Sequence, residues 1–227
     1  MSDTDSFIDE VTEEVRRDHL FQLMRKYGWI AVAIVLLIVG SAAYIEWQKS
    51  RDAKAAQAAG DAILAAVESN QADQRVADLQ KIVVVSPEGQ AVVSLITANE
   101  AINAGDTETA LKALNALATD ASLPLEMQQL ASLRALMAQH ESLSIDERKA
   151  GYQALSSPGA PYRLLAEEQL ALIAIEEGQI SNALERLEAI RADAETSQGL
   201  RGRATELIVA LGGVPASVNE VPGASGN

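Results

Sequence analysis

Residues 98–120, ANEAINAGDTETALKALNALATD, and residues 171–193, ALIAIEEGQISNALERLEAIRAD, are two versions of one pattern. At a constant offset of 73 residues, Ala98 falls on Ala171, Ile102 on Ile175, Gly105 on Gly178, Ala110 on Ala183, Leu111 on Leu184, Leu114 on Leu187 and Asp120 on Asp193. Within each copy a small residue comes first, glycine follows seven positions later, alanine twelve and a large aliphatic sixteen. The first alanine lets two antiparallel helices approach, the glycine ends the first helix, and the second alanine and the leucine fill the space between hairpins.

Outward from these copies, Gly, Pro and polar clusters cut residues 51–213 into helical pieces, and no stretch sustains a period-two alternation. The expected helices are 48–69, 72–85, 88–104, 107–119, 124–140, 144–156, 161–177, 180–193 and 198–211. The run KIVVVS at 81–86 is strand-like in composition, but placed directly after VADLQ it reads as the end of a helix. A hydrophobic share of 48% with only 4% aromatics suits Ala/Leu-rich helices better than strands. The domain is therefore expected to be all-α. The closing residues 214–227, VPASVNEVPGASGN, carry too little apolar surface to order themselves.

The spacing resembles the tetratricopeptide repeat, with Ala98 and Ala171 at the small position of its first helix and Ala110 and Ala183 at that of its second. The resemblance implies a solenoid of helical hairpins over residues 47–213. One unit takes about 34 residues, so the offset corresponds to two units with a lengthened connection. The family's bulky aromatic positions are aliphatic here, and residues 124–156 match poorly. Ordinary hairpins made alike by an Ala/Leu-rich composition are the alternative.

Ahead of the repeats, residues 27–45 (YGWIAVAIVLLIVGSAAYI) carry no charge, and as a helix they extend roughly 28 Å, the hydrocarbon thickness of a bilayer. Tyr27 and Trp29 stand at one end and Tyr44 and Trp47 at the other, where amphipathic rings prefer the headgroup level. Arg25 and Lys26 close the amino side; Glu46, Lys49 and Arg51 close the other. The reading is one transmembrane helix over residues 27–46, with a buried core helix as its alternative. Arg16, Arg17, Arg25 and Lys26 precede the span against Lys49, Arg51 and Lys54 after it, and this bias places the amino end in the cytoplasm. Ser41 and Ala43 offer a signal peptidase small residues, but the leader is long and net acidic, so the anchor is expected to be retained. In the leader, residues 1–26, apolar Phe7, Ile8, Val11, Val15, Leu20, Phe21 and Met24 recur at helical spacing from a cap at Ser6, with His19 as a solvated helix residue.

Composition removes whole classes of chemistry. Without cysteine there are no disulfides, thiolate metal sites or cysteine nucleophiles, and with His19 and His140 alone a histidine metal site is not expected. A formal charge of −14 opposes nucleic acid. The acidic pairs Glu167/Glu168 and Glu176/Glu177 supply carboxylates, but adjacent helix residues point apart, and they read as solvated faces. His140, beside Glu141 at a helix end, has no nucleophile motif near it, and the glycines around Leu200 lack the strand a phosphate loop needs. No cofactor is expected, and the protein reads as non-enzymatic.

A short charged leader, one span and an acidic Ala-rich domain of repeat-like helices together resemble the YfgM-like ancillary subunits of the bacterial SecYEG translocon, over residues 20–213. The resemblance implies a single-pass inner-membrane protein whose periplasmic domain works with the translocon and a periplasmic chaperone on exported, unfolded chains. Two other readings stay open: a tetratricopeptide scaffold for another envelope assembly, such as cytochrome c maturation, and an envelope enzyme.

Overall fold

The computed structural model describes residues 3–215, with side chains described at 25, 26, 29, 30 and from 32 to 215. The chain divides into two compact units, Met1–Ala58 and Ala59–Asn227. Among the described residues all regular structure is helical. Helix α1 is Asp3–Val67, so leader, apolar run and the start of the following domain are one uninterrupted helix. Ser6 therefore lies inside the helix rather than at its cap. The leader's side chains at residues 1–24 and that of Tyr27, and residues 216–227 of the expected tail, lie outside the described residues.

Over Val32–Val67, α1 is the one helix among the described residues long and apolar enough to cross a membrane. None of its apolar window is buried. At its carboxy-terminal margin Tyr44 and Trp47 are 6.1 Å apart by ring centroid, and the Arg51 guanidinium lies 5.0 Å over the Trp47 ring. That stack joins a cation to an amphipathic ring one turn away, an arrangement suited to an interface between hydrocarbon and water.

The second unit continues with α2 (Ala72–Leu79), α3 (Pro87–Asn103), α4 (Thr107–Ala118), α5 (Leu125–Ala138), α6 (Ile145–Leu155), α7 (Arg163–Glu176), α8 (Ile180–Ala192) and α9 (Gln198–Ala210). Local chemistry sets these limits. The Gly89 N–H donates to Ser86 Oγ with Pro87 at the first helical position, the Thr109 N–H donates to Asp106, and Ser144 and Glu147 form a reciprocal capping box. Helices α3 and α7 end alike. Gly105 and Gly178 adopt φ of +79° and +73°, which lets Asp106 N–H reach Ala101 O and Gln179 N–H reach Ala174 O, the long closing bond of a Schellman turn. Helix α9 ends the same way at Gly212, with Gly213 N–H donating to Ile208 O.

One helix boundary departs from expectation. Helix α2 stops at Leu79, and residues 82–84 are neither helix nor strand. The β-branched run after Lys81 offers poor helix formers, and Pro87 imposes a new start, so the helix is not carried to residue 85.

Each helix from α2 to α9 packs on the next, and α3 also touches α5. The core is accordingly three clusters strung along the chain. Val76, Ala98, Ala110 and Leu114 belong to the first, Leu133, Tyr152 and Ile173 to the second, and Ala171, Leu187, Ile190 and Ile208 to the third. The repeated small residues are inside: Ala98, Ala110, Ala171 and Ala183 are at most 1% exposed, and so are Leu114 and Leu187. Ala110→Trp and Ala183→Trp are each expected to destabilise the domain by about 1 to 3 kcal/mol, because an indole in a filled helix contact forces overpacking. Urea unfolding of both variants checks this, with exposed Glu185→Lys as the control.

Candidate docking groove

Small residues that let helices approach leave larger neighbours on the open face. Leu133 and Met137 on α5, Leu165, Glu168, Gln169 and Leu172 on α7, and Arg203, Glu206, Leu207 and Ala210 on α9 line a cavity of about 590 Å³. Met137 and Leu172 are 50% and 38% exposed, which leaves apolar surface open to a ligand. Ala171, one residue before Leu172, is fully buried, so the two consecutive side chains of α7 serve core and groove separately.

One charged pair crosses this apolar surface. Arg203 donates from Nε to Glu168 Oε1 at 2.7 Å and from Nη2 to Oε2 at 2.8 Å, a two-pronged bridge that joins α9 to α7. Glu168 is buried while Arg203 remains half exposed. Glu168, then Glu206, hold the guanidinium pKa above its ordinary value. Both carboxylate oxygens of Glu168 are thus occupied by one guanidinium.

Glu168 is thus not on a solvated face, nor are Glu167 and Glu177, which are half-buried, whereas Glu176 is exposed as expected. Glu167 accepts from Arg186 on α8, Glu176 from Arg148 on α6 and Glu177 from Lys149 on α6. Consecutive carboxylates project about 100° apart on a helix, so Glu167 and Glu168 reach two different helices. The cavity of about 480 Å³ between α7 and α8 contains charged groups already engaged in this way, Arg186 with Glu167 and Arg163 with Asp193.

These clamps give acid sensitivity. Arg148 beside Glu176, and Arg163 together with the Glu195 N–H beside Asp193, hold both carboxyls below their usual range. A carboxyl whose folded pKa is depressed contributes stability above its unfolded value, about 4, and the contribution disappears as pH falls through the folded value. The melting temperature should therefore stay level from pH 7 to about pH 5 and drop below about pH 4. Arg163→Gln is expected to flatten that drop in a thermal melt followed by circular dichroism.

His140 lies in the turn after α5, its Nε2 4.0 Å from Glu141 and well exposed. Among the described residues, no three His, Asp or Glu side chains converge to hold a metal. Of the residues singled out by the repeat, Gly105 and Gly178 form turns and the alanines and leucines form core; none lines the groove. The groove residues were hidden because Leu133, Met137 and Leu207 fall in helices that do not repeat the pattern. One signal was present: α7 reads RLLAEEQLALIAIE, with aliphatics on more faces than one neighbour covers.

Fold and groove define a class that is all-helical among the described residues, in which one helix long and apolar enough to cross a membrane precedes a series of packed helices with an open apolar groove. No family model, curated protein or solved structure matches the chain.

Proposed function

We propose that this protein is a non-enzymatic interaction subunit anchored in a bacterial inner membrane by α1, amino end in the cytoplasm, with its helical domain periplasmic. Its helix pairs are read as a tetratricopeptide-like solenoid, ancillary to the SecYEG translocon, that hands exported, still unfolded chains to a periplasmic chaperone. The observation that carries this reading is the groove of about 590 Å³ spanning α5, α7 and α9, apolar along its floor. It is set in a domain whose residues 59–215 hold eleven Lys/Arg against twenty-two Asp/Glu. Apolar contact supplies affinity, and the acidic surround favours basic, extended segments and speeds their encounter. The resemblance of the whole arrangement to YfgM-like subunits names the translocon as the partner.

A photo-crosslinking residue at Met137, in native membranes, is expected to capture newly exported polypeptides and SecYEG. Capture of clients should weaken toward molar salt, where the Debye length falls to about 3 Å. Leu172→Glu should abolish it. Crosslinks to neither exported chains nor SecYEG would overturn the reading, as would turnover of an envelope substrate that is lost on changing one carboxylate.

A further inference from the structure

We propose that residues 82–85, between α2 and α3, form an edge that accepts an extended segment of a client polypeptide as an added strand. The segment is apolar at alternate positions and flanked by Lys or Arg. Burial here alternates: Ile82 and Val84 are half-buried, whereas Val83 and Val85 are 84% and 96% exposed. The backbone alternates in the same sense. Ile82 N–H donates to Leu79 O at 3.1 Å and Val84 N–H to Gln90 Oε1 at 2.8 Å, both toward the fold. Among the described residues, the N–H groups of Val83 and Val85 have no partner.

Two unpaired amides one residue apart, beside two exposed valines, are what a sheet edge presents to an incoming strand. The segment is held in place from behind. A Cβ on Gly89 would stand 2.6 Å from Val84 Cγ1, so Val84 is seated directly against that glycine.

Charge decides between occupants. A second copy would bring together two domains in which acidic residues outnumber basic ones two to one, whereas a basic-flanked client is attracted. Lys81 does not oppose it, being tied to Asp78 at 2.8 Å, and exposed Glu88 stands ready for a flanking cation. This proposal rests on the client-binding reading but uses a surface separate from the groove.

The test uses the full chain in lipid nanodiscs and a synthetic peptide, KTVTVTVTK, with amide hydrogen exchange and fluorescence anisotropy as readouts. The peptide should slow exchange at Val83 and Val85 and leave Val84 unchanged. Val83→Ser combined with Val85→Ser, at exposed positions that leave the melting temperature unaltered, should weaken binding about tenfold or more. Val85→Pro should weaken it too, by removing one amide. Leu172→Glu should leave it intact, so that failure of the groove and failure of the edge are separable. Equal binding by the double serine variant, or no protection at Val83 and Val85, would overturn the proposal. Equal binding of ETVTVTVTE would overturn its charge preference. Protection that rises with protein concentration in the absence of peptide would assign the edge to a second copy instead.

Discussion

Replacing Leu36 and Leu37 together by arginine is expected to move the protein from the carbonate-resistant membrane pellet to the soluble fraction. Both side chains are more than 60% exposed on α1 and sit near the middle of its uncharged run. Each arginine at the centre of a spanning helix opposes insertion by about 2.5 to 3.5 kcal/mol, and each lost leucine removes a few tenths more. Two such changes reverse a partition that the remaining apolar residues cannot restore. Snorkelling relieves a charge near a helix end, and neither position is near one. Val32→Arg, closer to the margin, is expected to leave most of the protein in the pellet. Membrane retention of the double variant would show that α1 does not hold the chain in the bilayer.

Leu114→Ala and Leu187→Ala are each expected to cost about 2 to 5 kcal/mol of domain stability. Both side chains are fully buried, each in a cluster already rich in alanine. Neighbouring methyl groups on short side chains cannot swing in to fill the space, so most of the cavity should persist and the loss should lie toward the upper end. Because the two leucines occupy different clusters, their effects should add. The double variant then forfeits about 4 to 10 kcal/mol, comparable to the whole stability of an ordinary domain, about 5 to 15 kcal/mol. Urea unfolding in nanodiscs should show two lowered midpoints for the single variants and a largely unfolded double variant. A cost below about 1 kcal/mol at either site would mean that the helix pairs close around the gap.

Spacing along the chain was enough to place the apolar run in one long helix, to make the rest helical and to mark where α3 and α7 stop. Each of those features is set by neighbours within a few residues: a run of uncharged side chains, a 3.6-residue period, a glycine free to take positive φ. Alanine at Ala98, Ala110, Ala171 and Ala183 was informative for the same reason, since a small residue at a regular helical interval has one common use, letting another helix close in.

What the chain order did not reveal depends on residues far apart. Glu167 and Glu168 look alike as a pair, yet one meets Arg186, 19 residues on, and the other Arg203, 35 residues on. Only the packing of α8 on α7 and of α9 on α8 brings those cations within reach, and it turns an expected solvated face into two clamps. The groove is the same case. Leu172 is one more leucine in an apolar helix until α5 and α9 are placed beside α7 and leave it uncovered. Residues 82–85 fell between the two kinds of information: their β-branched composition was visible, but Gln90 holding Val84 from behind, with Val83 and Val85 left outward, was decided by the packing of α3 against α2. Local forces choose the elements, and which side chain is left without a neighbour is a property of the assembled helices.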